Sequence, residues 1–413
     1  MNKQQILERQ QRGYEIAQRF RIQKDGEFYI VPSSKTGKYK VSLFYQTCTC
    51  PDYETRKAKC KHIYGVEYFV DNESLSTTDN LPSEIKEAPK RKTYPQPNWK
   101  AYHQSQVSEK IQFQYLLNQL CQGIETPQSE TGRKKHEFSD LVFAMVFKVY
   151  SCFSSRRFMS DLHEAFGKEY LTKLPHYNTI INAFGFGEIT PILTYLIEIS
   201  SLPLASIETD FAVDSTGVST CRFFQWYQAK YFEDKKLINK RDWVKIHLCC
   251  GVKTNIVSAV EISSKFSGDS PFFRPLIDKT ALRFTINEVS ADKAYSSENN
   301  MKTVLDYGGT PYIAFRSNAG LTGSRSGDIW ENMYHYYSLN QERFLEHYHK
   351  RSNVEAVFMM IKTKFGDALR SKTETAMVNE ALCKVLAHNL CVLITSIHEL
   401  GLKPKFWQKL DFA

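Results

Sequence analysis

The first hundred residues show two different patterns of apolar and polar side chains. Residues 26–46, GEFYIVPSSKTGKYKVSLFYQ, alternate apolar and polar positions around a Lys-Thr-Gly-Lys turn, and this period of two predicts a β-hairpin. The segment YGVEYFV at residues 64–70 predicts a helix. Residues 74–110 have no apolar period and are rich in Pro, Ser and charge, which predicts a linker with a basic Lys-Arg-Lys run.

After this linker the apolar period becomes helical, up to about residue 200. The pattern predicts an apolar helix over Phe138–Phe153, a second helix over residues 154–167 with a Ser cap and a terminal Gly, and a third over residues 176–185. Three short helices at this spacing are compatible with a helix-turn-helix DNA-binding unit. A helical bundle without a DNA role fits the same pattern.

From about residue 205 the segments are rich in Val, Ile, Phe, Tyr and Trp, which predicts strands. They are ETDFAVDSTGV, RFFQWYQAKYF, VKIHLCCGVKTNIVSAVEIS, RFTINEVSADKAY and TPYIAFRSN. Helical patterns follow at about Arg343–Phe365 and Asn379–Leu400. A series of strands followed by helices predicts an α/β domain in which helices flank a mixed sheet.

Composition and charge narrow the class of protein. The chain has 413 residues, of which 42% are hydrophobic, too many for a disordered protein. No apolar run reaches the roughly 18–20 residues that span a bilayer, and the first residues lack the apolar centre of a signal peptide, so we expect an intracellular protein without a membrane partner. The net charge is +9, of which residues 1–110 carry +6, and this surplus favours a polyanionic partner.

Four residues predict a metal site near the N-terminus. Cys48-Thr-Cys50 and Cys60-Lys-His62 bring three thiols and one imidazole together within two short segments. In an intracellular chain such a group indicates zinc rather than a disulfide, because three thiolates and one imidazole complete a tetrahedral structural site. The alternative is a chance cluster of inert thiols. With the hairpin before it and the helix after it, this C-x-C…C-x-H arrangement over about residues 25–73 resembles the SWIM zinc finger, a module that binds either DNA or protein.

Two aspartates are predicted at the ends of strands. Asp214 closes ETDFAVD before a Ser-Thr-Gly turn, and Asp292 closes TINEVSAD before Lys-Ala-Tyr-Ser. Two carboxylates at two strand ends can converge on one hard cation such as magnesium. Each aspartate alone would also serve as a strand-end cap, so the interpretation depends on a third acid.

The third acid lies on a predicted helix with three companions. Glu355, Arg351, Lys362 and Tyr348 project along one narrow stripe of YHKRSNVEAVFMMIKTKFG, because an α-helix turns by about 100° per residue. Glu355 can hold a metal while Arg351 and Lys362 neutralise phosphates, although a solvated charged face would look the same.

This Y-x2-R-x3-E-x6-K spacing resembles the signature of a large group of insertion-sequence transposases, which carry a DDE triad on an RNase H-like fold. Asp214 in VDSTGV and Asp292 in ADKAYSS match the two Asp motifs of that family, and the likeness spans about residues 205–400. Asp269 in SGDSPF resembles a further recurrent position. Only 62 residues separate Asp292 from Glu355, fewer than in relatives with a long β-rich insertion there.

The resemblance implies a function and a set of ligands. Asp214, Asp292 and Glu355 would hold two magnesium ions, with manganese as a substitute, and the chain would cleave double-stranded DNA at the terminal inverted repeats of an element and join the ends to target DNA. Structural zinc would be the second cofactor, and a homodimer in a synaptic complex, in a prokaryotic cytoplasm and its nucleoid, would be the working form. A domesticated DNA-binding protein without catalysis and a nuclease without strand transfer remain alternatives.

The candidate DNA contacts come from three places in the chain. By resemblance, Tyr348, Arg351 and Lys362 contact the DNA backbone near the scissile phosphate. Arg156 and Arg157 are the basic residues of the predicted helix-turn-helix, and Trp330 is the one tryptophan between Asp292 and Glu355 that could stack on a flipped base.

The expected organisation is a multi-domain chain in which an α/β RNase H-like core follows a helical DNA-binding domain and a small ββα zinc finger. Its predicted parts are a SWIM-type zinc finger domain at 1–73, a linker at 74–110, a helix-turn-helix-like domain at 111–204, and a DDE catalytic domain at 205–413 with a small β-containing insertion at about 300–340.

Overall fold

The computed structural model describes residues 3–19, 22–32, 38–75, 98–126, 136–220, 243–316, 319 and 328–407. They belong to two compact units, Met1–Tyr94 and Pro95–Ala413. Most of the predicted linker, with its Lys-Arg-Lys run, and the strand predicted over RFFQWYQAKYF lie outside the described residues.

The first unit combines a small sheet with helices. In chain order it contains α1 (Lys3–Arg19), β1 (Gln23–Asp25), β2 (Phe28–Pro32), β3 (Lys38–Ser42), β4 (Thr47–Cys48), α2 (Pro51–Arg56) and α3 (Lys61–Leu75). The strands are antiparallel in the order β1-β2-β3-β4, so the predicted hairpin and the helix after it are confirmed. A Cβ added at Gly13 would lie 2.6 Å from Cβ of Tyr64, so the two long helices pack backbone to backbone at this point.

The second unit opens with a group of helices. These are α4 (Trp99–Cys121), α5 (Phe138–Ser151), α6 (Ser155–Gly167), α7 (Tyr177–Ala183) and α8 (Ile189–Ser201). The three helices predicted from the pattern are confirmed as α5, α6 and α7. Helix α4 begins at Trp99, inside the segment predicted as linker, because Asn98 caps it by accepting a hydrogen bond from the backbone N–H of Ala101 over 3.1 Å.

A five-stranded mixed sheet forms the centre of this unit. Its strands are β5 (Asp210–Ser219), β6 (Trp243–Gly251), β7 (Val257–Ser264), β8 (Glu288–Ala291) and β9 (Thr310–Ile313), in the order β7-β6-β5-β8-β9. The pairs β5–β6 and β6–β7 are antiparallel, whereas β5–β8 and β8–β9 are parallel. The predicted mixed sheet is therefore confirmed.

Helices follow and interleave with the strands. They are α9 (Ser270–Ala281), α10 (Glu298–Asp306), α11 (Asp328–Leu339), α12 (Gln341–Tyr348), α13 (Ser352–Phe365) and α14 (Glu374–Leu400). The single helix predicted over Arg343–Phe365 is divided by a 3-10 turn at His349–Arg351. The segment 300–340, predicted as a β-containing insertion, contains α10, β9 and α11, and β9 belongs to the central sheet because it pairs with β8.

An apolar core covers each face of the sheet, and successive side chains of β5 point alternately into one core and the other. Ala212 and Val218 belong to the apolar core shared with α4, α5, α8, α13 and α14. Phe211 and Val213 belong to the other core, with α9 to α11. Since side chains alternate along a strand, Asp214 and Thr216 point toward the first core and Ser215 toward the second.

Helix α14 has the length and composition of a membrane span, but 78% of its most apolar stretch is buried inside the protein. A long apolar helix buried to that extent is typical of a core helix, and it lies against α4, α5 and α8 in the first core.

Candidate active site and metal centre

Asp214 and Asp292 occupy equivalent positions on two parallel strands. The last paired residues of the β5–β8 ladder are Val213 and Ala291, so each aspartate is the first residue beyond it. Asp214 Oδ1 accepts the backbone N–H of Ser215 over 2.8 Å, and Asp292 Oδ1 accepts that of Lys293 over 2.7 Å. Each carboxylate is thus oriented by the backbone N–H of the residue that follows it, through its Oδ1 atom.

The prediction that both aspartates end their strands is right for Asp292 and wrong for Asp214. Strand β8 ends at Ala291, but β5 continues five residues beyond Asp214 to Ser219. The reason is that β5 has two neighbours: its pairing with β8 ends at Val213, while its pairing with β6 runs on to Ser219 and Trp243. The sequence carries no signal for the difference, because Ser-Thr-Gly reads locally as a turn.

Arg351 joins two of the three acids. Its Nη1 donates to Asp214 Oδ2 over 3.0 Å, and its Nη2 donates to Glu355 Oε1 over 2.6 Å. Arg351 lies in the 3-10 turn before α13 and Glu355 in the first turn of that helix, so one guanidinium fastens this end of the helix to β5. The Glu355 side chain is 57% exposed, so water or a ligand can reach it.

The charges of the site act on one another. Burial raises the pKa of the Asp214 carboxyl, the neighbouring charges of Asp292 and Glu355 raise it further, and the Ser215 N–H and Arg351 oppose them. The pKa of the Tyr348 hydroxyl is raised, first by burial, and the charges of Asp292 and Asp214 add to it. The four groups therefore share one electrostatic environment, although Tyr348 and Glu355 come from different helices.

Lys362 lies on the same side of the sheet. Its Nζ donates to Thr216 Oγ1 over 2.6 Å, and burial lowers the pKa of its ammonium group. Thr216 is two residues beyond Asp214 and points to the same face, so Lys362 and Arg351 both approach β5 from α13 and the turn before it. The structure thus brings Arg351, Glu355 and Lys362 to this face of β5, and Tyr348 lies close enough to Asp214 and Asp292 for their charges to act on it.

Trp330 does not have the exposure that stacking on a base requires. Its side chain is 5% exposed within the second core, and its ring packs edge-on against Phe315 at a centroid distance of 4.9 Å. The prediction that it stacks on a flipped base is therefore wrong for this structure, because α11 buries the apolar ring against β9 and the segment after it.

Arg156 and Arg157 are exposed in the first turn of α6. The Arg156 guanidinium lies 5.3 Å from the ring centroid of Tyr177, the first residue of α7, which fixes the arginine across the junction of the two helices. Helices α5 and α6 meet at 120° across a short turn, a geometry compatible with a helix-turn-helix.

A cation that the sequence reasoning missed lies on the same face of the sheet, at the opposite end of the β5–β8 ladder from Asp214 and Asp292. Asp210 and Glu288 are register partners on the parallel strands β5 and β8, so two like charges face each other. Lys350 Nζ donates to both carboxylates at 2.7 Å, and His347 Nδ1 lies 2.8 Å from Glu288. A signal did exist, because each of these acids precedes Asp214 or Asp292 by four residues, the spacing of two equivalent parallel strands.

Asp269 lies on the opposite face, behind Asp214. Ser215 donates to its Oδ1 over 2.6 Å, and Lys245 Nζ lies 2.6 Å from the same oxygen. Asp269 thereby anchors the residue next to Asp214 and is held away from the three acids by the strand itself. The hydrogen bonds from Lys245 and Ser215 lower the pKa of this carboxyl against the opposing effect of burial.

The three acids offer the carboxylate oxygens that hard divalent cations prefer. Their ligand atoms do not all lie within 4.8 Å of one another, a condition that, among the described residues, only the Cys/His group meets. The guanidinium of Arg351 accounts for this, since it is hydrogen-bonded to Asp214 and Glu355 at once. The donor set suits a divalent metal, whose binding here would require Arg351 to release the carboxylates of Asp214 and Glu355.

The Cys/His group lies in the first unit. Cys48 ends β4, Cys50 caps α2, Cys60 directly precedes α3 and His62 is in its first turn. All four are buried, and their ligand atoms lie within 4.8 Å of one another. The prediction that these four residues come together is thus confirmed.

The distances within this group fit zinc. Nδ1 of His62 lies 3.8 Å from Sγ of Cys48 and 3.9 Å from Sγ of Cys60. Zn–S bonds of about 2.3 Å and Zn–N bonds of about 2.0 Å at tetrahedral angles place sulfur and nitrogen roughly 3.6 Å apart. Hydrogen bonds from Cys48 and His62 lower the pKa of the Cys60 thiol and favour its thiolate, the form that binds metal. The pKa of Cys48 is raised by its hydrogen bond to Cys60 and by burial, and that of Cys50 chiefly by burial, so zinc would displace the protons of these two thiols. The chemistry and the spacing therefore both suit a structural zinc ion.

Two family models and one relative match parts of this chain. Residues 206–390 match the model of the transposase DDE domain, and residues 39–71 match that of the SWIM zinc finger. A probable transposase for the insertion sequence element ISA1214 of Archaeoglobus fulgidus is 24% identical over 321 residues, which cover 77% of this chain and 94% of that protein.

A solved structure, a piggyBac transposase synaptic complex with hairpin DNA, aligns with 72% of this chain and 74% of its own at 12% identity and a TM-score of 0.35, too low to support a structural argument. A DDE domain implies a divalent metal, and a SWIM finger with three cysteines and one histidine implies zinc. The chain therefore carries a transposase DDE domain at residues 206–390 and a SWIM zinc finger at residues 39–71.

Proposed function

We propose that this protein is a DNA transposase of an insertion sequence, which binds the terminal inverted repeats, cleaves at the element ends and joins them to target DNA. The observation that carries the proposal is the placement of the acids. Asp214 and Asp292 stand side by side one residue beyond the parallel β5–β8 ladder, and Arg351 connects Asp214 to Glu355 on α13. The strand order β7-β6-β5-β8-β9 suits an RNase H-like core.

Asp214, Asp292 and Glu355 would hold two magnesium ions, with manganese as a substitute. When bound, such ions supply an activated water for attack on the phosphodiester and stabilise the departing 3′-oxygen. The carboxylates act as ligands and position the reacting groups, so none of them needs a pKa near neutrality to move a proton.

The cations of the site bind the DNA backbone. Arg351 donates two of its N–H groups to oxygens of Asp214 and Glu355, and a DNA phosphate offers two acceptor oxygens to the same guanidinium. Transfer of Arg351 from the carboxylates to a DNA phosphate would free both acids for metal, so the site would form fully once an element end is in place. Lys362 and Tyr348 would contact the same stretch of backbone.

The other parts of the chain read the sequence of the element end, because catalysis by backbone contacts carries no sequence information. Arg156 and Arg157 on the exposed turn of α6 are the proposed contacts of the helical segment 111–204. The zinc finger contributes binding to DNA or to a second subunit. Two ends must be joined, so a homodimer is the proposed working form, in the prokaryotic cytoplasm and its nucleoid.

A strand-transfer assay tests the function. The full chain is incubated with magnesium, duplex DNA carrying the ends of its element and a plasmid target, and joined products are separated by size. We expect joined product. Cleaved ends without joining would indicate a nuclease, and binding without cleavage would indicate a domesticated DNA-binding protein; either result would overturn the proposal.

A further inference from the structure

A second basic site lies apart from the three acids, where the helical segment meets the end of α13. It is a cavity of about 350 Å³ between the α5–α6 turn and the residues that connect α13 to α14. Three cations line it, Lys148 on α5, Arg370 in the connection and Lys384 on α14, together with one carboxylate, Glu380. Lys384 is only 2% exposed.

The three cations are held by neutral groups. Lys148 Nζ and Arg370 Nη1 both donate to the carbonyl oxygen of Phe153, over 2.6 and 3.2 Å. Lys384 Nζ donates to the carbonyl oxygens of Gly366 and Ala368, both at 2.8 Å. Carbonyl oxygens fix the direction of an ammonium or guanidinium group but do not neutralise its charge.

Glu380 offsets only part of this positive charge. Its carboxylate accepts the backbone N–H of Arg370 and of Ser371, at 3.0 and 2.8 Å, and so serves to cap the connection. Within the described parts of the chain, no carboxylate forms an ion pair with any of the three cations. Three positive charges and one negative charge leave the cavity with a surplus of two.

This surplus is costly without an anion. The pKa of Lys148 is lowered to about 8, chiefly by burial and also by the charge of Arg370. The other walls are apolar, among them Ile180, Phe184 and Phe365, and such walls strengthen electrostatic attraction by excluding water.

The start of helix α6 adds donors at the same place. Ser154 and Ser155 line the cavity, and the Ser154 side chain makes no capping hydrogen bond to the first N–H groups of this 13-residue helix. A helix N-terminus attracts anions through these groups and its dipole, and here it faces a cavity that already has surplus positive charge.

We propose that this cavity binds a phosphate group of the DNA backbone, outside the catalytic centre. The inference rests on the proposed function for the source of the phosphate. The position favours DNA over a free anion, since Arg370 is exposed at the rim, the exposed Arg156 and Arg157 follow Ser155 directly, and Lys362 precedes the cavity residue Phe365 by three positions. A strand bound at Lys362 can therefore continue past Arg370 toward α6, with one phosphate in the cavity.

The test compares the full-length protein with Arg370→Gln, Arg370→Lys and a second cavity variant, Lys148→Met. The affinity for a duplex element end is measured at several salt concentrations, since each phosphate contact contributes about 0.9 to the slope of log affinity against log salt. We expect the slope to fall by about 0.9 in R370Q and in K148M and to stay at the wild-type value in R370K. Lys302→Gln, an exposed charge on α10, is the matched control and should leave the slope unchanged.

Three outcomes decide the inference. An unchanged slope in both R370Q and K148M, with wild-type melting temperatures, overturns it. Inorganic phosphate that stabilises the wild type but not R370Q, without a change in slope, assigns the cavity to a free anion and overturns the DNA source. The strand-transfer assay on the wild type distinguishes the two proposals. Joined product with unchanged slopes refutes only the phosphate site in the cavity. A changed slope without joined product refutes only the proposed transposase function.

Discussion

The guanidinium of Arg351 lies 3.0 Å from the carboxylate of Asp214, across the gap between the turn before α13 and the central strand β5. The same guanidinium holds Glu355, so one side chain links two acids that the sequence separates by 140 residues. This link positions the two acids and engages one carboxylate oxygen of each. If both acids bind a metal, DNA binding and metal binding would be coupled through Arg351.

Replacing Arg351 should change DNA binding in a measurable way. Arg351→Ala removes one proposed phosphate contact, so affinity for element ends should fall and the salt dependence should flatten by about 0.9 in slope. Arg274→Ala, an exposed arginine on α9, is the control. A slope equal to that of the wild type would rule out the backbone contact assigned to Arg351.

The zinc centre predicts a metal content and a local loss of structure. Elemental analysis should find about one zinc per chain, because the Cys/His group offers four ligands. Cys60→Ser should lose the zinc and unfold residues 25–73, since these residues surround a small core that includes the ligands themselves. Cys152→Ser, an exposed cysteine of the second unit, should keep it. A folded first unit without zinc would refute the site.

Lys350 should stabilise the start of the parallel β5–β8 pair, four residues before Asp214 and Asp292 on the two strands. Lys350→Gln leaves Asp210 and Glu288 facing each other without a cation, and we expect the free energy of unfolding in urea to fall by about 1–3 kcal/mol. Adding Glu288→Gln removes one of the two like charges and should recover part of the loss. If the double variant were as unstable as the sum of the two single variants, the three groups would not be coupled.

The buried histidine of α14 predicts a dependence of stability on pH. His388 donates from Nε2 to the carbonyl oxygen of Asn255 over 2.9 Å, and burial lowers its pKa to about 4. In the unfolded chain an imidazole titrates near 6.5, so between about pH 6.5 and 4 only the unfolded state takes up this proton, and stability falls as the pH falls through that window.

A variant without the imidazole tests whether His388 causes this loss of stability at low pH. At pH 4.5 the wild type should have lost about 2–3 kcal/mol through this residue relative to pH 7. His388→Gln keeps an N–H donor but does not titrate, so its unfolding free energy should fall less between the two pH values. Equal losses in urea unfolding would show that His388 is not responsible.

The sequence predicted the parts of this structure that depend on local pattern. The hairpin of β2 and β3, the helices α5 to α7 and the mixed sheet follow from apolar period and residue type. The zinc ligands follow from their own spacing. What local pattern could not supply were features made by distant partners: the continuation of β5 beyond Asp214 depends on β6, and the burial of Trp330 depends on its packing against Phe315. The 3-10 turn at His349–Arg351 could not be predicted, because its residues fit a continuous helix.

The central claim is that Glu355 belongs to a metal-dependent DNA-cleaving site with Asp214 and Asp292. Glu355→Gln keeps the shape of the side chain but removes the charge that would bind the metal, and Glu346→Gln, an exposed acid on α12, is the matched control. The decisive measurement is cleavage of element-end DNA in magnesium, with binding of the same DNA recorded in parallel. The account predicts that E355Q binds the DNA and leaves it uncut while E346Q cuts like the wild type; full cleavage by E355Q would contradict it.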